Sequence, residues 1–348
     1  MTNQEKITVF YHAPCLDGSA AAWAAYKKWG DGAQYIGINH ASLEATKRLI
    51  LDNVDEDTHA VFADYTPPRQ LMDEIAGRVK AVSVYDHHAS AIRAMDGYRN
   101  DKVTMVFDED RSGAAIVYDE LFNKRRRPQV VELAQMIDLE QTNRKDFFSI
   151  AAYLDSLPIA DINEAVESLD KVNDWALEEI IKRGQSIRGY HATAIEKAID
   201  SMVWTKASVL PNTDPVYVPL INANPHHLGR EFSIRLRELA EKSPPGFAAL
   251  SWYEDKGIVR VSVRTNAIPD AGKIAAHIGS KELGYGLGGG GHPASAAAQF
   301  TVEQFNKLFP RMTQQDVFKE LSERSLVVET PQAEPIETTS KSRGQTVK

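Results

Sequence analysis

Several histidines and aspartates stand where apolar runs stop. VSVYDHHASAI, residues 82–92, breaks off at Asp86, His87 and His88; ITVFYH ends at His12, with Asp17 and Gly18 in the loop beyond it; HAVFADY closes around Asp64. Imidazoles with carboxylates suit a divalent transition metal, and mixed nitrogen and oxygen donors favour manganese over magnesium. Several carboxylates on one site would repel one another unless cations neutralised them. Asp138, in the apolar helical stretch AQMIDLEQ, is a further candidate ligand. Taken singly, His12 reads as a satisfied strand-end histidine, Asp64 before Thr-Pro-Pro as a turn residue and Asp138 as a half-buried helix residue. Only the Asp-His-His triplet resists that reading, and the joint placement at strand ends reverses it for the others.

A second constellation is GLGGGGHPASAAAQF, residues 286–300. Consecutive glycines let a ligand approach the backbone. Their amides can form an anion-binding concavity, to which His292 adds a contact. The alanine-rich segment that follows is expected to begin a helix with its N-terminus toward that anion. Gly284, Gly286 and Gly289 match G-x-G-x-x-G, but without a βαβ unit or a following acid this is no dinucleotide fingerprint. Arg264 and Asn266 end the run VRVSVRTN and are candidates for a phosphate or a base edge. Lys124 to Arg127 read as a solvated helix-end cation cluster.

The elements that would carry these residues alternate. Short Val- and Ile-rich runs separated by amphipathic helices predict βαβ units and a parallel sheet, with helices on both faces. Ligands bind at the carboxyl ends of such strands. From about 130 to 200 the pattern is helical, and from about 205 a smaller set of strands begins. The expected organisation is a doubly wound α/β domain over residues 1–175, a helical linker over 176–204, a smaller α/β domain over 205–309, and a C-terminal helix with a disordered tail over 310–348.

The 348 residues, 43% hydrophobic and 25% charged, suit a globular chain with a sizeable core. A net charge of −8 argues against a generally basic nucleic-acid-coating surface, so an anionic substrate must be captured locally. A single cysteine, Cys15, excludes an intrachain disulfide and fits a reducing cytoplasm. No signal peptide and no run of about 18 apolar residues is found, so no membrane partner is expected.

Together, His12, Asp17-Gly18, Asp64, Asp86-His87-His88 and the GGGH of residues 289–292 resemble the DHH phosphoesterases with a DHH-associated C-terminal domain. The branch of nano-RNases, oligoribonucleases and exopolyphosphatase-related proteins is the most similar, over roughly residues 6–305. The resemblance implies two metal ions, usually Mn²⁺, held by His12, Asp17, Asp64, His87 and Asp138, with Asp64 bridging. Asp86 would be a ligand or would orient an imidazole, and His88 would face the scissile phosphate. Asp86, His87 and His88 are thus the expected catalytic residues. Arg264, Asn266, His292 and the backbone at Gly290 and Gly291 would bind substrate.

Two departures stand out. Cys15-Leu16-Asp17 replaces the family's D-x-D, which removes a hard oxygen or adds a soft thiolate. Ala297 stands where the family often has glycine. The implied activity is metal-assisted hydrolysis of short linear oligonucleotides or dinucleotides to mononucleotides, in the cytoplasm, with homodimerisation left open. Two alternatives remain: an exopolyphosphatase or other phosphoanhydride hydrolase with the same metals, and a degenerate nucleotide-binding protein.

Overall fold

The computed structural model describes residues 6–39, 43–123, 125–242, 248–266, 268–291 and 293–320. They fall into two compact units, one of residues 1–194 with 229–231, the other of residues 195–228 with 232–348.

The first unit is α/β. Its strands are β1 (Lys6–His12), β2 (Ala33–Ile38), β3 (Thr58–Ala63), β4 (Ala81–Asp86) and β5 (Val103–Phe107). The helices are α1 (Leu16–Trp29), α2 (Leu43–Leu51), α3 (Arg69–Arg78), α4 (Ala89–Met95), α5 (Gly113–Leu121), α6 (Gln129–Asp138), α7 (Phe147–Leu154), α8 (Ile162–Asp174) and α9 (Leu177–Asp200), the last running into the second unit. All strand pairs are parallel, in the order β2-β1-β3-β4-β5. Alternate strand residues feed two cores. Ile7, Val9, Tyr11, Val61 and Ala63 pack with α1, α5, α6, α7 and α8, while Phe10, Ala60, Phe62 and Val84 pack with α2 and α3. Burial on both faces explains the near-continuous apolar strands. The strand order reverses between β1 and β3, so the crevice outside their carboxyl ends is where a ligand is expected.

α1 is unusually small on its buried side: Ala20, Ala21, Ala22, Ala24 and Ala25 have no solvent exposure. That lets α1 lie close to the sheet and to α5. Gly18 marks the closest approach, since a Cβ there would stand 2.1 Å from the carbonyl oxygen of His12.

The second unit holds a six-stranded mixed sheet with β6 (Val203–Ala207), β7 (Val216–Asn222), β8 (Ala249–Asp255), β9 (Ile258–Arg264), β10 (Gly288–Gly291) and β11 (Ser295–Thr301) in the order β10-β11-β9-β8-β7-β6. β7 and β8 are parallel and the other pairs antiparallel. Three helices complete it: α10 (Pro225–Lys242), broken at Gly229 where φ is 72°, α11 (Ala271–Ile278) and α12 (Val302–Leu308).

Here one expectation is corrected. The alanine-rich segment after the glycines is not a helix but strand β11, paired with β9 from Ser295↔Arg264 to Thr301↔Ile258. Alanine favours helix only weakly, and tertiary context overrides it. Its partner is the glycine run itself, which forms edge strand β10 and lies against α11. A Cβ at Gly289 would meet the Ala275 carbonyl oxygen at 2.0 Å and the Ala298 Cβ at 3.0 Å. The glycines and small alanines are spacers for this close helix–strand contact.

Arg127 also departs from the solvated-cluster expectation. With Arg111 it binds the buried Asp119 carboxylate, at 2.6–2.9 Å from Arg127 and 2.9 Å from Arg111. Lys124, His292 and the tail from residue 321 lie outside the described residues. No helix among the described residues is long and apolar enough to cross a membrane.

Candidate metal centre

The carboxyl ends of β1, β3 and β4 bring His12, Asp64, Asp86, His87 and His88 together. α1 contributes Asp17 and the C-terminal residue of α6 contributes Asp138. Among the described residues, three groups of ligand-capable atoms result, each with its atoms within 4.8 Å of one another: His12, Cys15 and Asp64; Asp64, His87 and His88; Asp17, His87 and Asp138.

Asp64 is shared by two of the groups. It follows β3 directly, at a left-handed φ of 57°, and is buried. A non-glycine residue there stores strain of about 1–2 kcal/mol, which a site that over-determines the backbone can hold. The amide of Asp64 donates to the Tyr85 carbonyl at 2.9 Å, which fixes the turn. Its oxygens face different imidazoles: Oδ2 lies 3.3 Å from His12 Nδ1, and Oδ1 lies 3.4 Å from His87 Nε2 and 3.7 Å from His88 Nδ1.

Asp17 is held by the start of α5. The Gly113 amide donates to its Oδ2 at 2.6 Å and the Ala114 amide to its Oδ1 at 3.1 Å. Two helix N-terminal amides favour the carboxylate and leave no rotational freedom. Gly113 is required for this closeness, since a Cβ there would lie 2.6 Å from the Asp64 Cβ.

Asp86 is differently engaged. Its Oδ1 accepts from the amides of His87 (2.7 Å) and His88 (3.0 Å) and from His88 Nδ1 (2.7 Å), while Oδ2 accepts from Thr66 Oγ1 at 2.5 Å. A carboxylate only accepts, so His88 carries its proton on Nδ1 and leaves Nε2 as the acceptor or ligand. Asp86 is in none of the three groups; it fixes the turn and the His88 ring.

Asp64 Oδ1, His87 Nε2 and Asp138 Oδ2 are buried and have no hydrogen-bond partner, yet His87 Nε2 is only 3.3 Å from Asp138 Oδ2 and 3.9 Å from Asp17 Oδ2. Orphaned buried polar atoms converging on one point are costly unless something else satisfies them. Mixed nitrogen and carboxylate donors around that point fit a divalent cation.

The electrostatics agree. Burial pushes the Asp17 carboxyl up, and the Asp64 and Asp138 carboxylates add to that, with Ser112 and His87 opposing. Asp138 is also raised, by burial first and by Asp64, against the pull of His87. His12 is raised to about 10 by its hydrogen bonds to Asp64 and then Cys15. Burial lowers His87, but Asp64, Asp138 and Asp17 more than reverse this and raise it. The cluster therefore collects protons to offset its own repulsion, and a bound cation would take the protons' place.

Two cavities flank His12. One, of about 380 Å³, is lined by Cys15, Asp17, Asn39 and Asp138 among others; the second, of about 170 Å³, by Asp64, Thr66, Asp86 and His88.

In the second unit, Arg264 is the other predicted site residue with a distinctive setting. Its Nη1 reaches only carbonyls, those of Val263 at 3.0 Å and Ala296 at 3.5 Å. No carboxylate pairs with it among the described residues. Burial, and then repulsion from Arg237, lower it to about 10. Arg237, on α10, is a neighbour that sequence reasoning missed; a lone arginine on a charged helix face carries no signal. The exposed Asn266 donates instead to Glu241. Gly290 has open space where a Cβ would stand, whereas at Gly291 a Cβ would strike Ala296.

Residues 225–315 match the DHHA1 domain family. No curated protein matches the chain. Among solved structures, an exopolyphosphatase-related protein from Bacteroides fragilis is similar with a TM-score of 0.42 and 12% identity, covering 94% of each chain. CDC45 from Entamoeba histolytica aligns with a TM-score of 0.50 and 9% identity over 88% of this chain and 94% of its own, a likeness of fold alone. Residues 225–315 thus match a DHHA1 domain, and Asp86-His87-His88 stands at the end of β4, where the resemblance to the DHH phosphoesterases places it.

Proposed function

We propose that the chain is a divalent-metal-dependent phosphodiesterase that hydrolyses short linear oligonucleotides or dinucleotides to mononucleotides. The observation that carries this reading is the convergence of Asp64 Oδ1, His87 Nε2 and Asp138 Oδ2, all buried and without a hydrogen-bond partner. Two divalent cations, Mn²⁺ being the one the resemblance implies, are the proposed cofactors, and His12, Asp17, Asp64, His87 and Asp138 would hold them. Bound cations would supply Lewis acidity, which acidifies water and neutralises phosphate charge.

The chain's own residues do the rest. Asp64 fixes the spacing between the two places through its opposed oxygens. Asp17, pinned by the α5 amides, cannot swing away when the local charge changes. Asp86 holds the His88 ring so that Nε2 can meet a non-bridging phosphate oxygen, as a donor when the ring is protonated. The His88 pKa is raised by the Asp86 hydrogen bond first, against burial. Within the second unit, Arg264 and Arg237, two neighbouring guanidiniums of which Arg264 is without a carboxylate partner, are the proposed place for a substrate phosphate, with the open backbone at Gly290.

The test is hydrolysis by the pure full-length chain with Mn²⁺, supplied in parallel with a labelled dinucleotide and with inorganic polyphosphate. Mononucleotide release that stops with EDTA is expected. Phosphate release from polyphosphate without nucleotide release would replace the ester reading with the anhydride one. Silence on both substrates, with an active control enzyme alongside, would refute hydrolysis.

A further inference from the structure

The group formed by His12, Cys15 and Asp64 contains the only cysteine of the chain. We propose that Cys15 is a metal ligand, and that its thiolate makes this one place selective for soft or borderline divalent ions such as Zn²⁺, Co²⁺ or Cd²⁺ over Mn²⁺. The inference rests on the metal-dependent reading above.

Three observations support it. First, Cys15 is the residue that begins α1, yet its side chain makes no capping hydrogen bond. It is half-buried and opens onto the larger cavity beside His12 and Asp17. The thiol neither caps its helix nor belongs to the buried hydrophobic core. Second, the Cys15 sulfur, a His12 nitrogen and an Asp64 oxygen lie within 4.8 Å of one another, with His12 Nδ1 facing Asp64 Oδ2, so nitrogen, sulfur and oxygen donors already surround one place. Third, Asp64 is buried and its other oxygen has no hydrogen-bond partner, so its carboxylate can serve two ions at once.

The distances suit a small tetrahedral ion. Two donors each about 2.0–2.1 Å from such an ion lie roughly 3.4 Å apart. His12 Nδ1 and Asp64 Oδ2 are 3.3 Å apart. The other groups offer only imidazole and carboxylate, a set that manganese accepts readily. The centre is therefore chemically asymmetric, with a softer place on the β1 side and a harder one facing Asp17, His87 and Asp138.

The experiment is a Co²⁺ titration of the full chain followed by absorption. Wild type should show visible d–d bands together with a thiolate-to-cobalt charge-transfer band in the near ultraviolet. Cys15→Ser and Cys15→Asp should keep the d–d bands and lose the charge-transfer band. The preference for Cd²⁺ over Mn²⁺, measured by competition, should fall at least about tenfold in both variants. Because Cys15 is the single cysteine, alkylation of wild type read by mass spectrometry reports on it without any substitution, and saturating Cd²⁺ should slow it at least about tenfold. Visible bands without charge transfer, together with an unprotected thiol, would overturn the proposal and leave metal-dependent hydrolysis standing. Absence of any bound cobalt, manganese or cadmium would overturn both.

Discussion

Gly113 is the residue where a one-carbon change should separate folding from metal binding. In Gly113→Ala the new Cβ would stand 2.6 Å from the Asp64 Cβ, 2.8 Å from its Oδ1 and 2.9 Å from its Cγ. Carbon atoms rest at about 3.5–4.0 Å, so Asp64 or the start of α5 must move by about 1 Å. Neither is free to do so alone. Asp64 is fixed by its left-handed turn and its hydrogen bond to Tyr85, and the α5 amides hold Asp17. Over-packing of this kind costs about 1–3 kcal/mol. Removing a glycine from the unfolded chain returns about 0.4–1 kcal/mol. The net loss should thus be about 1–2 kcal/mol, or a few degrees in Tm. Function should suffer far more, because on the proposed reading both aspartates carry ligand atoms. A shift of about 1 Å in a reacting group costs roughly a hundredfold in rate, and a displaced ligand support about 10–100-fold in metal affinity. Calorimetric titration with Mn²⁺, thermal unfolding in EDTA and dinucleotide turnover together check this. Gly77→Ala is the control, since nothing lies within 4 Å of a Cβ there; it should bind metal as wild type does. Wild-type metal affinity and turnover in Gly113→Ala would refute the claim that Asp64 is held at van der Waals closeness by the start of α5.

Asp86→Ala leaves two amides and the His88 ring without their acceptor. Turnover should fall by about 10–150-fold from loss of the charged hydrogen bond that orients the His88 ring, at about 1.5–3 kcal/mol, while Mn²⁺ stoichiometry by elemental analysis stays near wild type. Arg264→Met removes a largely buried guanidinium that no carboxylate neutralises. Tm should hold or rise while KM for the dinucleotide increases about 10–100-fold, the opposite signs distinguishing anion capture from a structural role. Asp119→Asn tests the pH dependence of stability. Burial raises the Asp119 carboxyl, but Arg127 and then Arg111 override this and hold it low. A depressed folded value stabilises above the unfolded pKa of about 3.9, and the contribution is lost as pH falls through the folded value. The variant's deficit, about 3 kcal/mol at neutral pH, should shrink below about pH 4 in urea unfolding.

Much of the candidate centre, as a cluster of side chains, was legible because a parallel sheet buried on both faces leaves polar side chains few places to stand. His12, Asp64 and the Asp86-His87-His88 triplet each interrupt an apolar run, and adjacency of β1, β3 and β4 turns three interruptions into one crevice. Asp138 could be named as a carboxylate on an apolar helix, though only packing of α6 against α1 and α5 brings it within 3.3 Å of His87. The division of labour among the aspartates was not legible. Asp86 was open to two readings because its engagement depends on amides of the following two residues, a turn geometry that composition does not encode. The second unit was harder to read. AlaSerAlaAlaAla has the propensity of a helix, and only its pairing with β9 and the close approach of α11 to the glycines make it a strand.

The least legible residues are those that act by lacking atoms. Gly113 sits in a segment that reads as an ordinary helix start and Gly18 is notable in the sequence only beside Asp17, and neither has a side chain to offer a donor, an acceptor or a charge. Yet a Cβ at Gly18 would drive into the His12 carbonyl oxygen at 2.1 Å, and one at Gly113 into Asp64. These two vacancies let α1 and α5 close on the sheet, which in turn lets Asp17 reach the α5 amides and the His87 ring. The candidate ligands stand out in the sequence, but the distances between them are set by absent side chains, so on the proposed reading substitutions at these glycines should weaken metal binding as surely as loss of one of those residues.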